Sequence, residues 1–221
     1  ALRFAQQNMH VLVSGRTQSK LDSVVNIIKE KGGSAETFEG DAVQEADTLN
    51  LFEVAKTKGQ LRLAIYNTGN NTPGKIIDMD ASYFEDSWRV CCYGGFLFAK
   101  KALRQFKTRN EGVLLFTGAS ASLRGRANFG AFNSSKAALR TLAQAIAKEY
   151  GPEGVHVGHV VVDGPIGGEK IMTRFPEYAD KLGKDGMIDI EGIVDAYVYL
   201  YNQPKNAWSF EVDMRTSIEN W

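Results

Sequence analysis

Residues 112–146 read GVLLFTGASASLRGRANFGAFNSSKAALRTLAQAI. The opening apolar run is typical of a buried strand, and it gives way to glycine, alanine and serine, which favour a turn. Beyond the turn, apolar side chains recur at helical spacing at Phe132, Leu139, Leu142 and Ile146. This stretch therefore predicts a strand over Gly112–Thr117 and a long helix behind it.

The alternation of strand and helix continues along the whole chain. Helical spacing up to a stop at Gly32-Gly33 is kept by Leu21, Val24, Val25 and Ile28. A longer helical pattern is formed by Phe84, Trp88, Cys91, Gly95, Ala99 and Leu103. Further strands are predicted at residues 10–13, 35–38, 61–66, 155–162 and 208–212. Because this order requires a parallel sheet with helices on both faces, we predict one three-layer α/β domain over residues 1–221.

The beginning of the chain departs from the usual pattern of a doubly wound sheet. Residues 1–7 look like the body of an amphipathic helix with no strand before it. In such a sheet the first strand is central, and the turn after it carries the glycines that admit a pyrophosphate. We therefore expect a Rossmann-like sheet whose first strand is absent from the given chain, truncated at its N-terminus. The strands that begin near His10 and Leu61 should flank the empty slot.

Composition and cysteine usage narrow the class of protein. The 26 Lys and Arg balance the 26 Asp and Glu, so nothing favours nucleic acid as a partner. No apolar run approaches the roughly 20 residues that span a membrane. The adjacent Cys91 and Cys92 suit free thiols in a reducing compartment, which indicates the cytoplasm. No spacing of Cys, His and carboxylates suggests a metal site. The Gly-x-Ser-x-Gly motif of hydrolases with a nucleophile elbow is absent, which argues against that class of α/β enzyme.

Several short motifs follow the predicted strands and helices in a fixed order. They are Ser14-Gly15-Arg16, Asp41-Ala42-Val43, Asn67-Thr68-Gly69, the helix positions Trp88, Gly94 and Phe96, Phe116-Thr117-Gly118-Ala119-Ser120, and Ser135-Lys136-Ala137-Ala138-Leu139. Together they resemble the short-chain dehydrogenase/reductase family over essentially the whole chain. The resemblance implies a Rossmann-type, NADP(H)-binding domain that assembles as a homodimer or homotetramer.

The end of the first strand of this chain bears on the choice of cofactor. An acidic residue there would bond the ribose hydroxyls of NAD and repel a 2′-phosphate. The sequence instead has Ser14 and Arg16, with Lys20 one turn on, which favours NADP(H). The alternative is that Arg16 is an ordinary solvated arginine. The resemblance implies further cofactor contacts at Asp41, Ala42, Asn67, Gly69, Lys136, Gly164 and Ile166.

The catalytic positions implied by the resemblance are altered. Family enzymes use a tyrosine four residues before a lysine, together with a serine and an asparagine. Lys136 matches the lysine, but Phe132 stands at the tyrosine position, Ala119 at the serine position and Cys91 at the asparagine position. Ser120 is one residue away from the expected serine and is a candidate substitute. Its alternative role is a hydrogen bond to local backbone.

Other polar residues are weaker candidates. Tyr66 and Tyr93 are phenols that could reach the cleft, although packing is the usual role of such residues. Asp163 precedes Gly164 and is either a carboxylate near the nicotinamide or a turn residue bonded to its own backbone. The three histidines, His10, His156 and His159, fall on predicted strands and are expected to be structural.

The segment 167–186 lies where family members carry a substrate lid. The sequence thus favours an NADP(H)-dependent oxidoreductase of short-chain type that acts on a small carbonyl or alcohol. Phe132 keeps a second hypothesis open, in which the protein is a pseudoenzyme that binds NADP(H) and serves as a sensor, scaffold or partner subunit. Lys136 and Asn67 are compatible with both hypotheses.

Overall fold

The computed structural model describes residues 1–219, and this part of the chain contains six strands. They are β1 His10–Gly15, β2 Ser34–Glu39, β3 Leu63–Tyr66, β4 Gly112–Thr117, β5 Val155–Asp163 and β6 Glu211–Arg215. Every pairing is parallel: β1 pairs with β2, and the other four strands pair in the order β3-β4-β5-β6. Parallel strands need covered faces, and helices supply the cover.

Helices connect successive strands on both faces. They are α1 Leu2–Ala5, α2 Gln18–Glu30, α3 Glu45–Lys58, α4 Ala81–Trp88, α5 Gly94–Lys107, α6 Gly130–Tyr150, α7 Glu169–Arg174, α8 Pro176–Leu182 and α9 Ile190–Tyr201. One face carries α3, α5 and α6, whose side chains pack with those of β3, β4 and β5. The other face carries α2 and α9, and α1 bridges these two helices through the contact of Phe4 with Tyr201. The three-layer α/β fold is as predicted.

The two sheets leave one edge of β1 and one edge of β3 without a strand partner within residues 1–219. No strand in the described part of the chain pairs with either edge, in line with the expected slot. Helix α3 packs against both β1 and α5, and so it links the two sheets on one face. No helix within residues 1–219 combines the length and apolar character needed to cross a membrane.

The layers are held together by apolar cores on each side of the sheet. Phe106, Phe116 and Leu139 are fully buried between β4, α5 and α6. On the opposite face, Leu115 and Leu200 form the buried contact between β4 and α9. Burial of side chains of this size stabilises the fold by roughly 1.5–3 kcal/mol each.

Three predicted elements differ from the structure. Strand β3 begins at Leu63 rather than at residue 61. The last strand begins at Glu211 rather than at residue 208, because the side chain of Gln203 donates to the Ser209 hydroxyl and accepts from the Ser209 amide, which is then not available to a neighbouring strand. The helical pattern that starts at Phe84 is not one regular helix. Residues Arg89–Tyr93 form a π-helical turn between α4 and α5. The Val90 carbonyl at this turn accepts a bond from the Tyr66 hydroxyl.

Candidate active site

The predicted site residues lie at the carboxyl ends of the strands, where parallel α/β sheets bind their ligands. Five of the strands carry a predicted segment at this end. These segments are Ser14 to Arg16 at the end of β1, Asp41 and Ala42 after β2, Asn67 to Gly69 after β3, Gly118 to Ser120 after β4, and Gly164 to Ile166 after β5. The amide of Gly40 donates to the carbonyl of Gly15 over 2.9 Å, which ties the first two segments together.

Lys136 is the best-defined polar residue of the site. Its side chain comes from α6 and is only 4% exposed. The ammonium donates to the carbonyl of Thr68 over 3.1 Å and to that of Thr117 over 2.8 Å. Burial lowers the pKa of Lys136, and the nearby Cys91 opposes that change. An ammonium has three N–H donors, so one remains for a ligand.

Gly69 lies directly against Lys136. A Cβ at Gly69 would approach the Lys136 Nζ to 3.3 Å and the Cys91 Sγ to 3.7 Å, so this turn borders both predicted site residues. Cys91 is fully buried on the π-helical turn. Its thiol lies 4.0 Å from the Oδ1 of Asn70, whose amide donates to Ser87 over 3.1 Å. The motif search missed Asn70 and Ser87, and nothing in their spacing pointed to them.

Phe132 lies one turn before Lys136 on α6 and is half-buried. Residues four apart share a helix face, so the ring stands beside the ammonium and offers no proton. Ser120 is half-buried at the start of a short 3₁₀ turn, Ser120–Ser122. Its hydroxyl has no hydrogen-bond partner within residues 1–219, so the alternative of a backbone-bonded serine gains no support.

The other end of the site is open and basic. Ser14, Arg16 and Lys20 are all exposed. The Arg16 guanidinium has no ion-pair partner in the described part of the chain. Asp41, by contrast, is half-buried and accepts a bond from the amide of Val43 over 3.2 Å.

Two candidate phenols have structural roles. The Tyr66 hydroxyl donates to the Val90 carbonyl over 2.5 Å, the ring is 2% exposed, and burial raises its pKa. Tyr93 stacks on Trp88, and the Arg89 guanidinium lies 5.0 Å from its ring centre. The environment of Tyr66 does not suit a proton donor that works near neutral pH.

Asp163 is paired with two arginines, and no hydrogen bond to its own backbone is found within residues 1–219. Its carboxylate is 2% exposed and accepts two bonds from Arg124, over 2.8 and 3.1 Å. Arg215, the register partner of Asp163 on β6, lies 3.3 Å away. Asp163 therefore anchors the loop of Arg124, whose amide in turn donates to the Ser120 carbonyl. Arg124 and Arg215 are distant in sequence, so no local motif indicated this cluster.

A second residue missed by the sequence is Tyr197 on α9. Its hydroxyl lies 2.5 Å from the Oγ1 of Thr117, and burial raises the pKa of Tyr197 to about 12. The contact fixes Thr117, whose carbonyl binds Lys136 on the opposite face. Tyr197 thus supports the site from behind the sheet.

The predicted lid, residues 167–186, folds as α7, α8 and a 3₁₀ turn over Lys184–Gly186. Between α8 and the end of β6 lies a cavity of about 930 Å³, lined in part by Met172, Met187 and Met214. Its lining includes neither Lys136 nor Ser120. The cavity is therefore distinct from the Lys136 cluster.

A parallel sheet covered on both faces, with polar residues gathered at its carboxyl edge, defines a Rossmann-type binding site. The profile of the short chain dehydrogenases matches residues 1–169. An uncharacterized oxidoreductase of Thermotoga maritima is 29% identical over 174 residues, which cover 79% of this chain and 68% of that protein.

Solved structures agree with this match. A short-chain dehydrogenase from Rhodopseudomonas palustris is 30% identical, with a TM-score of 0.83 over 97% of this chain and 90% of that one. A metagenomic short-chain oxidoreductase in complex with NADP has a TM-score of 0.83 at 18% identity, over 99% of this chain and 90% of that one. The chain therefore belongs to the short-chain dehydrogenase family.

Proposed function

We propose that this protein is an NADP(H)-dependent oxidoreductase that acts on a small carbonyl or alcohol substrate. The observation that carries the proposal is the Lys136 ammonium, buried at the carboxyl edge of the sheet and held by the carbonyls of Thr68 and Thr117. Two backbone carbonyls leave one N–H to bind a ribose hydroxyl.

The residues at both ends of the site fit a dinucleotide. At the β1 end, Arg16 is exposed and has no ion-pair partner within residues 1–219, so it offers a guanidinium for a 2′-phosphate, with Ser14 and Lys20 close in sequence. We assign Asp41 and Ala42 to the adenine. We assign Asn67, Gly69, Gly164 and Ile166 to the nicotinamide end, and the contact of Gly69 with Lys136 supports this assignment. The structural relative that contains NADP supports this choice of cofactor.

The cofactor supplies the hydride. The protein binds and orients the cofactor and the substrate, and it controls the transfer of the proton. Lys136 holds the ribose, and its charge favours an oxyanion on the substrate. Ser120, whose hydroxyl has no partner in the described part of the chain, stands one residue beyond the position of the family serine. Cys91 stands at the position of the family asparagine, so a thiol replaces a side-chain amide. The series of proton-transferring groups is then shorter than in family enzymes. Loss of one general acid slows such reactions by about 10²- to 10⁴-fold without abolishing orientation.

The remaining features fit a family enzyme. We assign residues 167–186 as the substrate lid, because this segment follows the end of β5 and exposes the apolar side chains of Met172, Phe175 and Tyr178. Ala137 and Ala145 are exposed on α6, which suits close packing against a second copy in a homodimer or homotetramer. The adjacent free thiols favour a cytoplasmic location.

Phe132 favours one alternative, an NADP(H)-binding pseudoenzyme that acts as a sensor, scaffold or partner subunit. Both proposals require NADPH to bind at the same place. They differ in turnover, because the pseudoenzyme binds the cofactor without oxidising it.

The test measures binding and turnover on one preparation of the full-length protein. NADPH and NADH are titrated by fluorescence, and NADPH oxidation is followed with a panel of aldehydes and diketones. We expect NADPH to bind more tightly than NADH and to be oxidised by at least one acceptor. Binding without turnover would establish the pseudoenzyme, and absence of NADPH binding would refute both proposals.

The matched variant is Arg16→Glu, which reverses the charge at the proposed phosphate contact. A charge-assisted bond contributes about 1.5–3 kcal/mol, so NADPH affinity should fall tenfold or more while NADH affinity changes little. An equal loss for both cofactors would show that Arg16 does not bind the 2′-phosphate.

A further inference from the structure

His159 is a buried histidine beneath the turn that follows β4. It is fully buried on β5, and its Nδ1 lies 2.9 Å from the Oε2 of Glu211. Arg140 donates two bonds to the same carboxylate, over 2.6 and 2.8 Å. The Nε2 of His159 has no hydrogen-bond partner within residues 1–219. An unpaired buried acceptor lowers the stability of the folded protein by about 1–3 kcal/mol, so its presence here requires an explanation.

The partners of the ring fix its tautomer. Arg140 holds the pKa of Glu211 below its usual range, so the carboxylate is ionised and only accepts hydrogen bonds. The Nδ1 must therefore carry the proton, which leaves a lone pair on Nε2. Burial lowers the pKa of His159 and outweighs Glu211, which raises it. Arg140 and Lys136, both on α6, also oppose a second proton.

The free lone pair faces the turn that carries Ser120. A Cβ at Gly118 would lie 2.3 Å from the His159 Nε2 and 3.0 Å from the Ser122 Oγ. The ring and the hydroxyl of Ser122 thus lie against the same point of the turn. Ser122 is 5% exposed, and its oxygen accepts a bond from the Ala119 amide over 3.2 Å, so its own proton is still available.

We propose that His159 is a positioning residue of the oxidoreductase site. Its Nε2 accepts a proton from one buried water that in turn accepts the hydroxyl proton of Ser122, and this bridge fixes the turn that presents Ser120. Glu211 and Arg140 hold the ring in the required tautomer. The role of Ser120 in this inference rests on the proposed function, whereas the tautomer and the bridge to the turn do not.

The first test is independent of turnover. The chain has three histidines, so ¹⁵N-histidine labelling with His10 and His156 variants assigns each ring. At about pH 7 the His159 ring should be neutral with its proton on Nδ1. As pH falls and the ring takes up its second proton, the Ser120 amide resonance should shift with the same midpoint. A proton on Nε2 at neutral pH would overturn the proposal, and so would a Ser120 amide resonance that does not shift as His159 titrates.

The second test uses two buried histidines of the same strand. Among the described residues, His156 also forms a hydrogen bond through only one ring nitrogen. Its ring stacks on Trp208, with the ring centroids 4.9 Å apart, and does not contact the turn after β4. His159→Leu should lower kcat about tenfold or more with the KM for NADPH unchanged, because a small displacement of an active-site group has effects of this size. His159→Gln, which keeps an acceptor, should restore most of kcat. His156→Leu should leave kcat within about twofold.

The pH profile separates positioning from a structural role. Because the ring must be neutral, kcat should fall as pH drops through the pKa of His159. Glu211→Gln removes the group that raises this pKa, so the acid limb should move to lower pH. If His159→Leu fails to fold, the kcat of His159→Gln and the shift of the acid limb in Glu211→Gln still test the proposal. An acid limb that stays in place, or equal losses of kcat in His159→Leu and His156→Leu, would contradict the proposed role.

Discussion

Lys136 and Phe132 stand one turn apart on α6, and under the proposed function they set the chemistry available at the nicotinamide end. The ammonium is anchored by two backbone carbonyls. The sequence predicts that Phe132 stands at the position where family enzymes carry a phenol. A cation without its partner acid can orient a cofactor and stabilise an oxyanion, but it gives the substrate oxygen no tuned proton donor.

Replacement of Phe132 by Tyr tests this directly. The new phenol would stand beside Lys136, whose charge favours the phenolate and lowers the phenol pKa toward neutrality. We expect Phe132→Tyr to raise the rate of NADPH oxidation with a simple diketone by about tenfold or more. The measurement is kcat at neutral pH, with NADPH affinity as the control that binding is unchanged. A fall from a healthy wild-type rate would mean that another donor, with Ser120 the next residue to mutate, already serves the enzyme.

Elements of secondary structure place these residues, and α5 lies close to β3 and to the turn after β2 at Gly94. Gly94 begins α5 directly after the π-helical turn. A Cβ there would lie 2.4 Å from the Tyr66 hydroxyl and 3.1 Å from the Ala42 carbonyl. A side chain at this position would therefore push α5 away from the segment proposed to meet the adenine.

We predict that Gly94→Ala lowers the free energy of unfolding by about 1–3 kcal/mol, as overpacking does elsewhere. The matched control is Gly192→Ala on α9, where a Cβ would meet no atom within 4 Å. That change should be neutral or stabilise by about 0.4–1 kcal/mol. Urea unfolding measures both variants, and equal stability of the two would show that the contact at Gly94 is unimportant.

The elements also show what sequence patterns can predict. Strands β2, β4 and β5 follow from apolar runs that end at turn residues, and their predicted limits agree with the structure to within one residue. The π-helical turn at Cys91 could not be predicted, because its apolar spacing is that of a regular helix. The pattern also predicts a strand at Ser209, whereas the Ser209 amide donates to the side chain of Gln203 and takes no part in the sheet.

On the scale of the whole molecule, the strand ends that carry the motifs meet at one edge, and this part of the site follows from order along the chain. The contacts that support the site do not follow from the order of residues along the chain. Asp163 pairs with Arg124 and Arg215, and His159 with Glu211, across elements that only the folded sheet brings together. Sequence spacing identifies residues that act through local geometry and misses those that act through long-range pairing.

A crystal structure of the full-length protein with NADP⁺ would test the central claim most directly. The account predicts the 2′-phosphate within about 3 Å of the Arg16 guanidinium, and a nicotinamide ribose hydroxyl within hydrogen-bonding distance of the Lys136 ammonium. The nicotinamide ring should face Phe132. A cofactor that binds elsewhere, or one whose 2′-phosphate points away from Arg16 into solvent, would contradict the account.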